Sequence, residues 1–354
     1  MPPINIKPDQ AVQELMEFTK KLSKGVDTLG KIGEIDVGAS PRVPVYREDR
    51  VILYHYLPKV ENPHPIPLLI VYALVNRPYM MDLEEGRYLI QGLLEAGIDV
   101  YLVDWGYAND ADRYVTLEDY VSGYIRHCVD YVRSTHHLAK VNLLGVCQGG
   151  TLSLCFSALY PERVKNLIPM VTPVDFHTPD NQLTHLVKNF DVDLLVNTLG
   201  NLPGEMLNFL FLSLNPFRLT GQKYVDLVDI VEDEAALKNF LRMEKWIFDS
   251  PDQAGEAFRQ FIKQFFQDNK LIKDEAMIGE RRVSLKDITM PVLNVYANKD
   301  HLVPPLSSQA LKNQVGSSDY SELSFKGGHI GIYVSGRSQR EVPPAIANWL
   351  KARG

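Results

Sequence analysis

Cysteine is scarce in this 354-residue chain: there are three, Cys128, Cys147 and Cys155. An odd number without a CxxC pair or a metal-ligand spacing argues against a disulfide framework and against structural zinc. Long apolar runs are missing too. The best, residues 68–75, falls far short of the eighteen or so needed to span a bilayer, and the opening MPPINIKPDQ lacks the basic-then-apolar pattern of a secretory leader. Excess positive charge is also absent. The 37 Lys and Arg stand against 44 Asp and Glu, a net charge of −7, which removes the usual electrostatic basis for general nucleic-acid binding. These absences together predict a soluble cytoplasmic protein with no membrane segment, no nucleic-acid partner and no metal.

What is present is an ordinary globular composition, 45% hydrophobic and 23% charged. At 40.1 kDa, surface scaling leaves roughly 14,000 Å² of folded surface from about 58,000 Å² of unfolded chain, ample for a large core. Asp9 as an N-cap followed by Val12, Leu15, Met16 and Leu22 predicts an amphipathic helix over about 9–24. Residues 43–46 and 50–56 alternate as strands around a turn at Glu48 and Asp49. Residues 68–74, 98–103, 141–144, 164–171, 292–297 and 321–325 are further apolar strand runs, most of them separated by helical patterns. Thr116 and Asp119 form a capping box opening a helix to about Arg133, and residues 342–352 close the chain as a helix. Alternating strands and helices predict an α/β fold with a mostly parallel central sheet. Between 172 and 291 no clear strand is visible, so a largely helical insertion is expected there. Within it Phe258, Phe261, Ile262, Phe265 and Phe266 share one helical face; the stripe reads first as core and second as a lining for an entry.

The chemistry concentrates at Gly145-Val146-Cys147-Gln148-Gly149, directly after an apolar strand and before a helix. This is the G-x-S-x-G nucleophile elbow of α/β hydrolases with sulfur in place of oxygen. Such a turn lifts Cys147 above the sheet, and the helix N-terminus behind it favours a thiolate and a developing oxyanion. The backbone N–H of Gln148 is then half of an oxyanion hole, with the other half from the loop after the third strand, at Val75 or Asn76. Cys128 and Cys155 fall inside predicted helices and read as structural. The fold requires the order nucleophile, acid, histidine. Of nine histidines, His329 in Lys326-Gly327-Gly328-His329 lies after the last strand, where the base belongs; His301, His177 and His185 fit less well, and the other five precede the elbow. Asp300, after the strand 292–297, is the preferred acid, ahead of Asp175 and Asp104.

Longer strings carry a family resemblance: residues 68–82 (LLIVYALVNRPYMMD), 100–106 (VYLVDWG), 141–150 (VNLLGVCQGG), 171–181 (VTPVDFHTPDN), 241–256 (LRMEKWIFDSPDQAGE) and 327–336 (GGHIGIYVSG). Over nearly its whole length the chain resembles the polyhydroxyalkanoate synthases, specifically the short catalytic subunit of the class III, two-subunit enzymes. The family's cysteine, aspartate and histidine fall on Cys147, Asp300 and His329. The resemblance implies polymerisation of (R)-3-hydroxyacyl-CoA, chiefly 3-hydroxybutyryl-CoA, into polyester through acyl-cysteine thioesters with release of CoA. CoA thioester is then substrate, and no cofactor is expected. In the family the aspartate is credited with activating the chain-end hydroxyl, so Asp300 either does this or orients His329. The resemblance further implies a second synthase subunit of the PhaE type and association with polyester granules; a homo-oligomer, in the first place a dimer, is also expected. The expected organisation is an α/β-hydrolase core over 1–176 and 286–354 interrupted by a cap over 177–285. Two other readings share the fold: a cysteine hydrolase of the dienelactone hydrolase type, and a non-catalytic scaffold.

Overall fold

The computed structural model describes residues 35–214, 227, 229–230 and 232–354. The helix expected over 9–24 lies outside them. Two compact units divide the described chain: residues 38–207 with 249–354, and 35–37 with 208–248.

The larger unit is built on eight strands: β1 (Arg42–Glu48), β2 (Val51–Tyr56), β3 (Leu68–Val71), β4 (Val100–Asp104), β5 (Val141–Val146), β6 (Val164–Met170), β7 (Val292–Ala297) and β8 (Tyr320–Phe325). Their order across the sheet is β1-β2-β4-β3-β5-β6-β7-β8. β2 runs antiparallel to both neighbours, and every pairing from β4 through β8 is parallel. β3, β4, β5 and β7 are buried at every residue, the signature of strands covered on both faces. Their sequences are continuous apolar runs for that reason. Because the strands are parallel, the loops after β3, β5, β6, β7 and β8 all open at one rim, where ligand sites of open α/β sheets form.

Departures from the sequence reading have local causes. β3 stops at Val71 although 72–74 remain apolar and buried, because the chain there bends over the elbow: Leu74 N–H donates to Gln148 Oε1 at 3.2 Å. The Thr116–Asp119 capping box is present, but the helix it opens begins as a π-helical stretch, Asp119–Ile125, before the α-helix Arg126–Thr135. The last helix starts at Gly336, with Ser335 as N-cap, and runs through Pro343 and Pro344 to Lys351. The two prolines hid its first turns. The stretch 172–291 is not free of strand: Met277–Ile278 pairs with Arg281–Arg282 in a small hairpin, too short to show alternation.

The phenylalanine stripe spans the helix Gly255–Phe261 and the π-helical turn Ile262–Gln267. Phe261, Phe265 and Phe266 pack around Phe176, from the loop after β6, with ring centroids 4.8–6.1 Å apart. The stripe is core. The passes of chain leading out at Leu207 and back at Asp249 are pinned together within the larger unit. Leu202 and Gln253 form a two-way backbone bridge, and Gly204 N–H donates to Asp252 Oδ1 at 2.9 Å. In the smaller unit, the helix Glu234–Phe248 buries Leu237 and Trp246, and Arg242 and Lys245 donate to the carbonyls of Asp36 and Ile35.

Candidate active site

Cys147 stands between β5 and the helix Gln148–Leu159, with φ 53° and ψ −121°. A non-glycine residue held there is strained, at a cost of about 1–3 kcal/mol, and persists only where surrounding packing forces it. The flanking glycines show that packing. A Cβ on Gly149 would lie 2.3 Å from the Tyr72 carbonyl oxygen, and one on Gly145 would lie 2.6 Å from Gly150 Cα. Only bare backbone lets strand, turn and helix approach so closely. Two neighbouring strand ends carry the same left-handed strain, Asn76 at φ 56° after β3 and Val171 at φ 44° after β6.

Asp300 and His329 reach this rim on the loops after β7 and β8. Those loops are joined: Lys299 N–H donates to Gly327 O at 2.8 Å and Asn298 N–H to Phe325 O at 2.9 Å. His329 Nδ1–H donates to Asp300 Oδ2 at 2.6 Å. The other carboxylate oxygen accepts from the N–H groups of Leu302 and Val303, both at 2.9 Å. Asp300's side chain has no exposed surface. Its lone pairs are therefore spent on His329 and on fixing its own loop. Nε2 of His329 is left to the Cys147 sulfur, which adds a hydrogen bond and negative charge. Burial alone would push the imidazolium pKa down, but the charges and hydrogen bonds of Asp300 and Cys147 outweigh it and raise it to about 10.

The structure thus brings together the three residues singled out from sequence. The alternatives are occupied elsewhere. Asp104 pairs with Arg77 at 2.9 Å, and Asp175 accepts from Asn269 at 2.8 Å. His177 and His185 contact the backbone carbonyls of Phe266 and Pro179, and His301 is exposed. Cys128 and Cys155 are wholly buried, and burial pushes both thiols up to about 12. Gln148 is the first residue of its helix, so its N–H lacks an intrahelical acceptor. Its side chain staples the elbow to Leu74, immediately before Val75 and Asn76. The Asn76 side chain donates in turn to Ser250 Oγ at 2.7 Å, while Tyr79 and Tyr107 donate to Asp249 at 3.0 and 2.6 Å. This polar tie from the loops after β3 and β4 to residues 249–250 was not read from sequence. Its partners are 142 to 174 residues apart in the chain, and only the shared string 241–256 hinted that they mattered.

Residues 66–335 match the family model described as the alpha/beta hydrolase fold. Among solved structures, the chain is similar in fold to a monoacylglycerol lipase from Paleococcus ferrophilus, with a TM-score of 0.54 at 18% identity over 83% of this chain and 96% of that one. Among curated proteins it is 59% identical over 353 residues, 99% of each chain, to "Poly(3-hydroxyalkanoate) polymerase subunit PhaC" of Allochromatium vinosum. It is 56% identical to the protein of the same name from Thiocystis violacea, over the whole of both chains. The elbow, the sheet order and this full-length likeness lead to one assignment: the chain belongs to the α/β-hydrolase fold family and, within it, to the polyhydroxyalkanoate synthases of class III, as a PhaC-type chain.

Proposed function

We propose that this chain is the catalytic subunit of a polyhydroxyalkanoate synthase, an acyltransferase that polymerises (R)-3-hydroxyacyl-CoA, chiefly 3-hydroxybutyryl-CoA, and releases CoA. The observation that carries the reading is the Cys147 sulfur at the apex of the elbow, before the His329–Asp300 pair, in a chain alike from end to end to polymerase subunits. In the first step the Cys147 thiolate attacks the thioester carbonyl. A new C–S bond forms, the bond to CoA breaks, and His329 gives its proton to the departing CoA thiolate. Exchanging thioester for thioester keeps the acyl group activated. In the second step the 3-hydroxyl of the chain end attacks the acyl-enzyme carbonyl, His329 takes its proton, and Cys147 leaves as thiolate with the ester formed. The N–H of Gln148 and one from Val75 or Asn76 meet the oxyanion in both steps. Each step is nucleophilic or acid–base, and the scheme uses no cofactor.

Asp300 acts in this scheme by orienting His329. Its carboxylate is covered, with one oxygen on the imidazole and the other on two loop amides, so an incoming hydroxyl meets His329 first. Water must be kept from the acyl-enzyme, and the insertion over 177–285 serves as the cap that does so. A PhaE-type second subunit, a homodimeric arrangement and a polyester granule as the site of action complete the proposal. Among the described residues no helix is long and apolar enough to cross a membrane.

The deciding experiment is incubation with 3-hydroxybutyryl-CoA, with and without the second subunit. CoA release accompanied by high-mass polyester is expected. Free hydroxybutyrate as the sole product would give the chain to the cysteine hydrolases, and no Cys147-dependent release would make it a scaffold.

A further inference from the structure

Tyr333 sits one helical turn after His329, in the short helix Gly331–Val334, and is 1% exposed. Its ring stands edge-on to the His329 imidazole, with centroids 6.2 Å apart and planes at 85°. The hydroxyl lies within electrostatic reach of Cys147, Asp300 and Tyr72. It has no hydrogen-bond partner among the described residues.

That last fact sets it apart. Other buried tyrosines have partners for their hydroxyls: Tyr56 accepts from Arg42, Tyr79 donates to Asp249, Tyr120 accepts from Arg50, and Tyr124 donates to Asp49. A buried hydroxyl without a partner destabilises the folded chain relative to phenylalanine, which fills the same space, so its presence asks for a reason outside folding. Burial, with Tyr72, Cys147 and Asp300 adding to it, keeps the group protonated. Tyr333 is therefore a preformed O–H donor whose ring stands edge-on to the His329 imidazole.

On the polymerase reading above, the acyl group carries two oxygens near the reacting centre. The carbonyl oxygen is met by the backbone N–H groups of the elbow and the β3 loop. The oxygen on C3, a hydroxyl in the monomer, is given no donor by those groups. We propose that Tyr333 donates a hydrogen bond to this C3 oxygen, and thereby selects 3-hydroxyacyl thioesters over plain acyl thioesters.

The test is Tyr333→Phe, assayed by single-turnover CoA release from 3-hydroxybutyryl-CoA and from butyryl-CoA, which differs only in lacking the C3 oxygen. The expected result is a fall of about tenfold in the preference for the hydroxylated thioester, with release from butyryl-CoA within about twofold of the unaltered chain and a Tm unchanged or higher. Three results overturn the inference: equal slowing of both thioesters, an unchanged preference, or a lowered Tm, which would mean that the hydroxyl serves the fold. If the unaltered chain releases no CoA from 3-hydroxybutyryl-CoA, the polymerase reading itself has failed. Release that proceeds with the preference unmoved by the substitution sinks only the role of Tyr333.

Discussion

The helix Gln148–Leu159 holds a cysteine just before its first residue and another two turns further on, and the two have opposite chemistry. Cys147 precedes the helix in a strained turn, partly exposed, with His329 against its sulfur. Cys155 lies in the helix body among apolar side chains, wholly buried, its thiol pushed up to about 12. Residue type is the same and the sequence separation small. The difference comes from backbone: one position projects past the end of a parallel strand into the rim where the loops converge, and the other faces the core. A nucleophile in this fold is made by where the turn puts it.

Cys147→Ala should abolish CoA release, whereas Cys155→Ala should leave it within about twofold because no acyl group reaches that site. His329→Ala should follow, with acylation lowered by about 10²–10⁴-fold through loss of the acid and base. Asp300→Asn should give a smaller loss and a diagnostic change with pH. With Asp300 in place His329 keeps its proton up to about pH 10, so the alkaline fall in acylation belongs near there. Removing the carboxylate takes away the largest raising contribution and leaves burial opposed by Cys147 alone, so that limb should move to lower pH. The linkage to stability has a fixed sign. Because the folded-state pKa is raised, the protonated histidine stabilises the fold fully below its ordinary value of about 6.5, and this is lost as pH rises towards 10. Thermal melts of the native chain across that window should show the decline, and Asp300→Asn should flatten it. Gly149→Ala tests the packing of the elbow: with Tyr72 O at 2.3 Å from the new methyl, backbone must shift, at about 1–3 kcal/mol by denaturant unfolding. Cys155→Ala should show the smallest effect, about 1 kcal/mol of stability from the lost buried sulfur.

Much of the framework was legible because parallel strands buried on both faces leave unbroken apolar runs, as at Leu68–Val71 and Val141–Val146, and because the elbow needs glycine at fixed offsets from its nucleophile. His329 and Asp300 could be chosen from chain order together with their places after the last two strands, since this topology brings the ends of β7 and β8 to the elbow. What sequence could not show depends on contacts between distant loops. The bond of Asn76 to Ser250, the closure of Asp300 by Leu302 and Val303, and the unpartnered Tyr333 hydroxyl each arise from three-dimensional placement and leave no periodic signal. The hairpin at Met277–Ile278 and Arg281–Arg282 is too brief to alternate, and Pro343 and Pro344 masked the early turns of the last helix.

The sulfur at the elbow, and no other, carries the acyl group during turnover. The most direct test is to quench the chain in acid during turnover of 3-hydroxybutyryl-CoA and locate the adduct by peptide mass spectrometry. A hydroxybutyryl thioester is expected on the peptide containing Cys147, absent from Cys147→Ala and still present in Cys155→Ala. An adduct on Cys128 or Cys155, or polyester formed by Cys147→Ala, would contradict it.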